Sequence, residues 1–311
     1  MRVLLGLASA LVLSACGVPA GQLPATPGET ASKYGYVPLD PLPVNQEPSA
    51  DSCKEAKTPW LPLLQALPDL TVRFAVAEVD ASGGLTFGPA KITSEGSAYR
   101  AILDYVNADA VPVSMFVRKI VLDQGGARKE VSIASPGTAV GFQAILADDA
   151  AADLRATISA RSQENYDYIT VPVYVGVGLR LSADIRALKG GVALSGLGTI
   201  GVQAEANALS GTLTVQSLGV NGKSIAMALP LPNKLDQTTI ETAILAVGSS
   251  RAILYATNGE ADAGNQARPS PRVVGLYSPI GTDPLLINAI YAELSKTRPV
   301  WRRPCAEDGT A

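Results

Sequence analysis

Histidine is absent from the 311 residues of the chain. Its absence excludes every mechanism that needs an imidazole, including the Ser-His-Asp and Cys-His forms of nucleophile activation, and every metal site built on histidine. Charge is also limited, because charged residues make up 17% of the chain and the formal net charge is −3. This balance gives no reason to expect a nucleic acid as a partner.

Aromatic residues are scarce, at 5%, but hydrophobic residues make up 47% of the sequence. This apolar fraction is enough to fill a core, so we exclude a wholly disordered chain. The length corresponds to two domains on the rule of about 150 residues per domain.

The amino-terminal segment has one positive charge, Arg2, followed by an apolar run from Val3 to Leu13. The run has the length of a signal-peptide core and is too short to cross a hydrocarbon layer of about 30 Å, for which a helix needs about 20 residues. It ends in Leu13-Ser14-Ala15-Cys16, which resembles the lipobox of bacterial lipoproteins. Two other interpretations are an ordinary secretory signal with a cysteine by chance and a short buried helix.

The resemblance to the lipobox carries several expectations. It implies cleavage before Cys16, attachment of a diacylglyceryl group to the Cys16 sulfur and acylation of the new amino group. Several acyl chains make a stable anchor where a single chain would not. Gly17 stands where the family's signal for inner-membrane retention is an aspartate, so the implied location is the outer membrane.

Seven prolines between Pro19 and Pro48 predict an extended tether after the anchor. The alternative is an arm that adds to the folded body as a strand through Tyr34, Tyr36 and Val37. The predicted organisation is a signal peptide at 1–15, the lipidated cysteine and a Pro-rich tether at 16–52, a β-rich region at 53–150, an α+β region at 151–305 and a disordered tail at 306–311.

Two cysteines, Cys53 and Cys305, remain after Cys16 and form an even pair in an oxidising compartment. A disulfide between them would close a loop of about 250 residues, which corresponds to at least the upper part of the usual range of about 2–4 kcal/mol. Trp60 and Trp301 lie close to these cysteines in the sequence, so we expect a shared tryptophan–disulfide cluster. The alternative is two independent buried thiols.

The first half of the body has a β pattern, in which Tyr99–Val106 and Val113–Leu122 are predicted to be separate strands. The clearest strand is Val173–Ala187, where every odd position is apolar and the even positions are mostly small or polar. Gly176 and Gly178 predict a bend or a bulge within it.

Helical spacing follows this strand and alternates with further strands. The predicted helices are Ala150–Ala160, Leu197–Leu209 ended by Gly211, a segment capped by Asp236 with Ile240, Ala243, Ile244 and Val247 on one face, and Asp283–Lys296. The predicted strands are Thr212–Val220, Ser224–Leu229, Arg251–Ala256 and Arg272–Tyr277. The order predicts an α+β fold, with a β-rich amino-terminal part followed by an antiparallel sheet and helices in split βαβ-like order.

No pattern in the sequence identifies a catalytic, metal or cofactor site. The carboxylates that deserve consideration are Asp148, Asp149, Asp153, Asp167, Asp184 and Glu205, but no spacing brings a pair of them together. Gly222-Lys223-Ser224 lacks the glycine that a phosphate-binding loop needs at Ser217, so it indicates a hairpin turn. Arg298, Arg302 and Arg303 make a small basic end that suits an anionic polymer or simply solvent.

The predicted function is that of a lipid-anchored cell-envelope lipoprotein with a non-enzymatic binding or structural role. Its expected partners are the membrane, through Cys16, and an envelope protein or polymer. One alternative is a subunit of an outer-membrane secretion pore resembling the curli-export lipoproteins, because the alternation in Val173–Ala187 suits a strand with one face in lipid and one in water. A second alternative is a histidine-independent carboxylate hydrolase of envelope polymers.

Overall fold

The computed structural model describes residues 36–48, 71–81, 85–87, 92, 94–147, 166–221, 233–256, 268–278, 281 and 283–303. The strands in these residues are β1 Tyr36–Pro43, β2 Asn45–Pro48, β3 Thr71–Val79, β4 Leu85–Phe87, β5 Ala98–Leu122, β6 Arg128–Val131, β7 Ala139–Leu146, β8 Asp167–Ala187, β9 Leu209–Leu218, β10 Val220–Asn221, β11 Asn233–Lys234, β12 Arg268–Pro269, β13 Arg272–Tyr277 and β14 Val300–Arg303. The helices are α1 Leu197–Glu205, α2 Gln237–Ala256 and α3 Pro284–Lys296.

A ten-stranded antiparallel sheet forms the body, with the main order β1-β13-β8-β5-β3-β4. Strands β6 and β7 pair with β5, and β9 pairs with β8 and β11. Strands β10 and β12 form a separate antiparallel pair, and β2 and β14 form a parallel pair. A large antiparallel sheet accompanied by a few helices confirms the predicted α+β class.

The longest ladder joins β5 to β8 at every position from Ala98 to Val117. The prediction of two strands, separated between Val106 and Val113, is therefore wrong, because β5 continues through the polar and proline-containing stretch. The physical reason is its partner: the continuous β8 offers pairing along the whole length, and Pro112 lies opposite Pro172. The β-rich and α+β regions thus share one sheet.

The alternation predicted for Val173–Ala187 is confirmed, because all its odd-numbered side chains are buried. Residues Val171–Val177 pack with α3, and residues Leu179–Ala187 pack with α1 and α2. Of the predicted bend or bulge in β8, the bulge is wrong, since the register of β8 against β5 is unbroken. An irregularity does occur opposite, in β13, where Val274 is the extra residue between Val273 and Gly275.

Two of the three described helices, α2 and α3, begin at the polar caps that the sequence predicts. The Asp236 carboxylate accepts a hydrogen bond from the Thr239 amide at 2.7 Å, and this bond lowers the pKa of Asp236. Asp283 caps α3 in the same way through the Leu285 amide at 2.9 Å, with Pro284 at the first helical position. Strand β8, α1, β9, α2, β13 and α3 occur along the chain in the predicted order, and the predicted strand Ser224–Leu229 lies outside the described residues.

Three local predictions in this half are wrong. Arg251–Ala256 belongs to the end of α2 and is not a strand. Gly211 lies inside β9 because α1 ends earlier, at Glu205, and the chain turns through Asn207 with a positive φ of 53°. Ile244 is exposed, whereas its predicted companions on the buried face of α2 are in the core.

The predicted tether is wrong for the part of it that the structure describes. Residues Tyr36–Pro43 form β1, which pairs antiparallel with β13, and Asn45–Pro48 form β2. The alternative of an added strand is the correct one here. The prolines are the reason for the wrong prediction. A strand at the edge of a sheet tolerates proline, which has no amide hydrogen, and prolines at that edge prevent pairing with a further strand.

Candidate functional site

A buried polar cluster joins four strands of the sheet. The Arg180 guanidinium of β8 donates from Nε to Asp104 Oδ1 at 2.6 Å and from Nη2 to Asp104 Oδ2 at 2.7 Å, so the pair is bidentate. The Tyr36 hydroxyl of β1 donates to the same carboxylate. Asp104 is fully buried and Arg180 nearly so. We call Tyr36, Asp104 and Arg180 the polar clamp.

Two carbonyl groups complete the environment of Arg180. Nη1 donates to the Leu39 carbonyl and Nη2 to the Val274 carbonyl, both at 2.7 Å. Both acceptors lie at irregularities of the ladder, Leu39 between Pro38 and Leu42 of β1 and Val274 in β13. Such residues lose their regular strand partners, so their carbonyls need another donor. Arg180 supplies it, and four of its five N–H groups are used.

The clamp requires a strongly curled sheet. Tyr36 and Asp104 lie on strands that are three places apart in the sheet order, a distance of about 14 Å in a flat sheet. Their direct contact shows that β1 folds over the inner surface of β5 and β8. Gly275 permits this approach, because a Cβ there would overlap the Tyr36 ring.

A cation covers the aromatic side of the clamp. The Arg73 guanidinium carbon of β3 lies 3.5 Å from the centre of the Tyr174 ring and 5.0 Å from that of Tyr36. The two rings are 5.6 Å apart with an interplanar angle of 60°. This arrangement has the geometry of a cation–π contact and adds β3 to the strands that the cluster holds together.

Burial sets the electrostatics of the clamp. It raises the pKa of Tyr36 well above the usual value, and the neighbouring Asp104 charge raises it further. Burial alone would lower the pKa of Arg180, but the hydrogen bonds and the charge of Asp104 outweigh it, so the pKa is raised. At neutral pH the Tyr36 phenol is therefore neutral and the Arg180 guanidinium is charged.

These features indicate a structural fastening. Tyr36, Asp104 and Arg180 all lie in the interior, and their polar groups already have partners within the fold. A substrate would have to displace these bonds to reach the carboxylate. The clamp holds β1 on the sheet, and we assign no reaction to it.

The carboxylates proposed from the sequence are not brought together in the described part of the chain. Asp167 accepts hydrogen bonds from Ser132 Oγ at 3.0 Å and from the Ile133 amide at 2.7 Å, so it fixes the segment after β6. Asp184 pairs with Arg100 on the surface, and Glu205 ends α1. Asp148, Asp149 and Asp153 lie outside the described residues. Within the part of the chain that the structure describes, no cluster of potential metal ligands occurs.

The apolar face that suggested a pore subunit has another explanation. Helices α1, α2 and α3 cover the odd-numbered side chains of β8, which form two parts of the core. Among the described helices, none has the length and apolarity to cross a membrane.

Cys16, Cys53, Cys305 and Trp60 lie outside the described residues. Trp301, by contrast, is buried in the core, and its indole Nε1 donates to Asp109 Oδ2 at 3.1 Å. The basic end predicted around Arg302 forms β14, and Arg302 itself is exposed.

Two small clefts open on the described surface. One, of about 140 Å³, lies between β9 and the start of α2 and has Leu213, Val215 and Thr242 in its wall. The other, of about 170 Å³, lies between the middle of β5 and Pro299. Neither contains a charged side chain.

Comparisons with known proteins identify no relative. No protein-family model matches the chain, and no curated protein or solved structure is significantly similar to it.

Proposed function

We propose that this chain is a lipid-anchored lipoprotein of the cell envelope whose folded body has a non-enzymatic binding or structural role. The observation that carries the proposal is the Leu13-Ser14-Ala15-Cys16 motif at the end of a short apolar run. The proposed location is the outer membrane. The proposed partners are the membrane, through Cys16, and an envelope protein or polymer.

The attachment of β1 supports a tethered role. Strand β1 is the first described element after Cys16 and begins 20 residues beyond it, at Tyr36. Pairing with β13 and the hydrogen bonds of Tyr36 and Leu39 to the clamp resist its removal. A body that is held at its amino end needs such a fixed first strand.

The test of the anchor is metabolic labelling with radiolabelled fatty acid, followed by membrane fractionation. The unchanged chain should incorporate label and remain with the membranes. The Cys16→Ser variant should lose both properties, whereas the matched Cys53→Ser variant should retain both. Incorporation that survives Cys16→Ser, or its absence from the unchanged chain, would contradict the proposal.

A disulfide between Cys53 and Cys305 is part of the proposal. Strands β2 and β14 run parallel, with Pro48 opposite Arg303. Cys53 follows β2 by five residues and Cys305 follows β14 by two. Paired strands lie about 4.8 Å apart, so the two chains leave the pair side by side and in the same direction. The neighbouring ends of β2 and β14 support the proposed disulfide.

Peptide mapping without reduction provides the check on this disulfide. We expect one cross-linked peptide that contains Cys53 and Cys305 in protein taken from its native envelope. Free thiols at both positions would contradict the disulfide and leave the assignment of Cys16 unaffected.

A further inference from the structure

One end of the sheet carries exposed apolar, aromatic and charged side chains, and the charged ones include the acidic Asp123 and Glu130. We call it the distal sheet end and define it as Val113–Leu122 of β5, β6, β7 and Asp167–Val171 of β8. Leu122 is 53% exposed and Tyr168 is 58% exposed. Arg128 and Lys129 of β6 are exposed beside Leu122, since Arg128 is its partner in the ladder.

An aromatic group supports Tyr168 on this end. Phe116 is the cross-strand partner of Tyr168, with ring centres 5.3 Å apart, and it also contacts Tyr166 at 6.5 Å. The Arg118 guanidinium lies 4.6 Å from the centre of the Tyr166 ring. Tyrosines with apolar support and cations nearby are the side chains that favour the boundary between lipid and water.

The pairing register shows where the tether enters the body. Val37 of β1 pairs with Leu276, Leu276 with Val173, and Val173 with Val111 of β5. Strand β1 runs antiparallel to β5, so the chain before Tyr36 arrives from the side of Leu122.

The chain between Cys16 and Tyr36 is long enough to reach the distal sheet end. Leu122 lies ten residues beyond Pro112, which is about 33 Å along a strand. Twenty residues separate Cys16 from Tyr36 and can reach at most about 70 Å. A lipid on Cys16 can therefore sit in a membrane that touches Leu122.

We propose that the distal sheet end is a membrane-contact surface, with Leu122 and Tyr168 in the lipid headgroup region and Arg128 and Lys129 facing anionic headgroups. This inference rests on the proposed anchor at Cys16. It also gives the body an orientation, because α1 and α2 pack on Leu179–Ala187, which lies at the other end of the β5–β8 ladder. That end then faces away from the membrane and is free for a partner.

The experiment compares two exposed leucines at opposite ends of the ladder. Leu188, which is 40% exposed, follows the last residue of β8 and is the matched control for Leu122. The lipidated full-length variants Leu122→Trp and Leu188→Trp are placed in vesicles of phosphatidylethanolamine and phosphatidylglycerol whose acyl chains carry bromine. We expect the added fluorescence of Leu122→Trp, after subtraction of the unsubstituted chain, to be quenched several-fold more than that of Leu188→Trp.

The possible outcomes separate the inference from the anchor. Equal quenching of the two variants in a chain that floats with the vesicles overturns the membrane-contact surface alone. A chain that does not float overturns the anchor and, with it, the surface. Protection of Leu122→Trp from both the brominated lipid and aqueous iodide shows that protein covers this end, which also overturns the proposal.

A charge-matched pair of variants tests the basic side chains separately. Each cation near an anionic surface increases binding by about fivefold. Arg128→Gln/Lys129→Gln, combined with Leu122→Trp, should lower the quenching on anionic vesicles. Arg186→Gln/Lys189→Gln removes two exposed cations at the opposite end and should leave it unchanged. Equal effects of the two pairs would overturn the proposed role of Arg128 and Lys129.

Discussion

Replacing Arg180 by methionine should destabilise the fold far more than the same replacement at Arg100. Both arginines form an ion pair with the residue directly opposite on the β5–β8 ladder, Asp104 for Arg180 and Asp184 for Arg100. The two pairs are four positions apart on the same strands. They differ in environment, because the side chains of Arg100 and Asp184 are 41% and 50% exposed, whereas the Arg180 pair is buried.

The expected loss in the free energy of unfolding depends on which groups each substitution leaves without a partner. Arg180→Met leaves the Asp104 carboxylate buried without a charge partner, which costs about 3–5 kcal/mol. The Leu39 carbonyl also loses its donor, and the Val274 carbonyl keeps only the 3.4 Å contact with the Tyr36 hydroxyl. Arg100→Met removes a solvated pair, whose loss costs less than about 1 kcal/mol.

Equilibrium unfolding in urea, followed by far-ultraviolet circular dichroism, measures both free energies. The double variant Asp104→Leu/Arg180→Met should be more stable than Arg180→Met alone, since it removes the isolated charge. Two results would contradict this prediction. One is a loss of unfolding free energy in Arg180→Met that is no larger than the loss in Arg100→Met. The other is a double variant that is less stable than Arg180→Met.

Two further predictions concern the attachment of β1. Tyr36→Phe removes a hydrogen bond to a buried carboxylate and should lower the free energy of unfolding by about 1.5–3 kcal/mol. Burial raises the pKa of Tyr36 in the folded state, so the stability that the neutral phenol contributes is complete below the unfolded pKa of about 10 and is lost as the pH rises through the folded pKa. Urea unfolding at increasingly alkaline pH should show this loss of stability in the unchanged chain and less of it in Tyr36→Phe. Gly275→Ala places a methyl group against the Tyr36 ring and should cost about 1–3 kcal/mol in the same assay, and a neutral effect would contradict the close approach.

The core strand could be predicted because its pattern is local. In Val173–Ala187 the alternation of apolar and polar residues is strict, and burial follows it at each odd position. The cap residues Asp236 and Asp283 are also local signals, and each begins a helix. By contrast, the sequence predicts two strands on either side of Asn107–Pro112, whereas β5 is continuous there. Its continuity depends on pairing with β8, and the local sequence of β5 carries no signal for that pairing.

The polar clamp could not be predicted, because its burial comes from strands far away in the sequence. Arg180 occupies an even position of β8, which the alternation assigns to the polar face. That face becomes interior only when β1 and β13 fold over it. Tyr36 of β1 lies 144 residues before Arg180 in the sequence, and Val274 of β13 lies 94 residues after it. Two signals were present: Asp104 as a lone acid between Leu103 and Tyr105, and the glycines just before Arg180.

The anchor at Cys16 is the central claim, and the intact mass of the protein extracted from native membranes tests it most directly. We predict a chain that begins at Cys16 and whose mass exceeds that of the polypeptide by a diacylglyceryl group and one further acyl chain. A chain that begins at another residue, or one that begins at Cys16 without added lipid mass, would contradict the account.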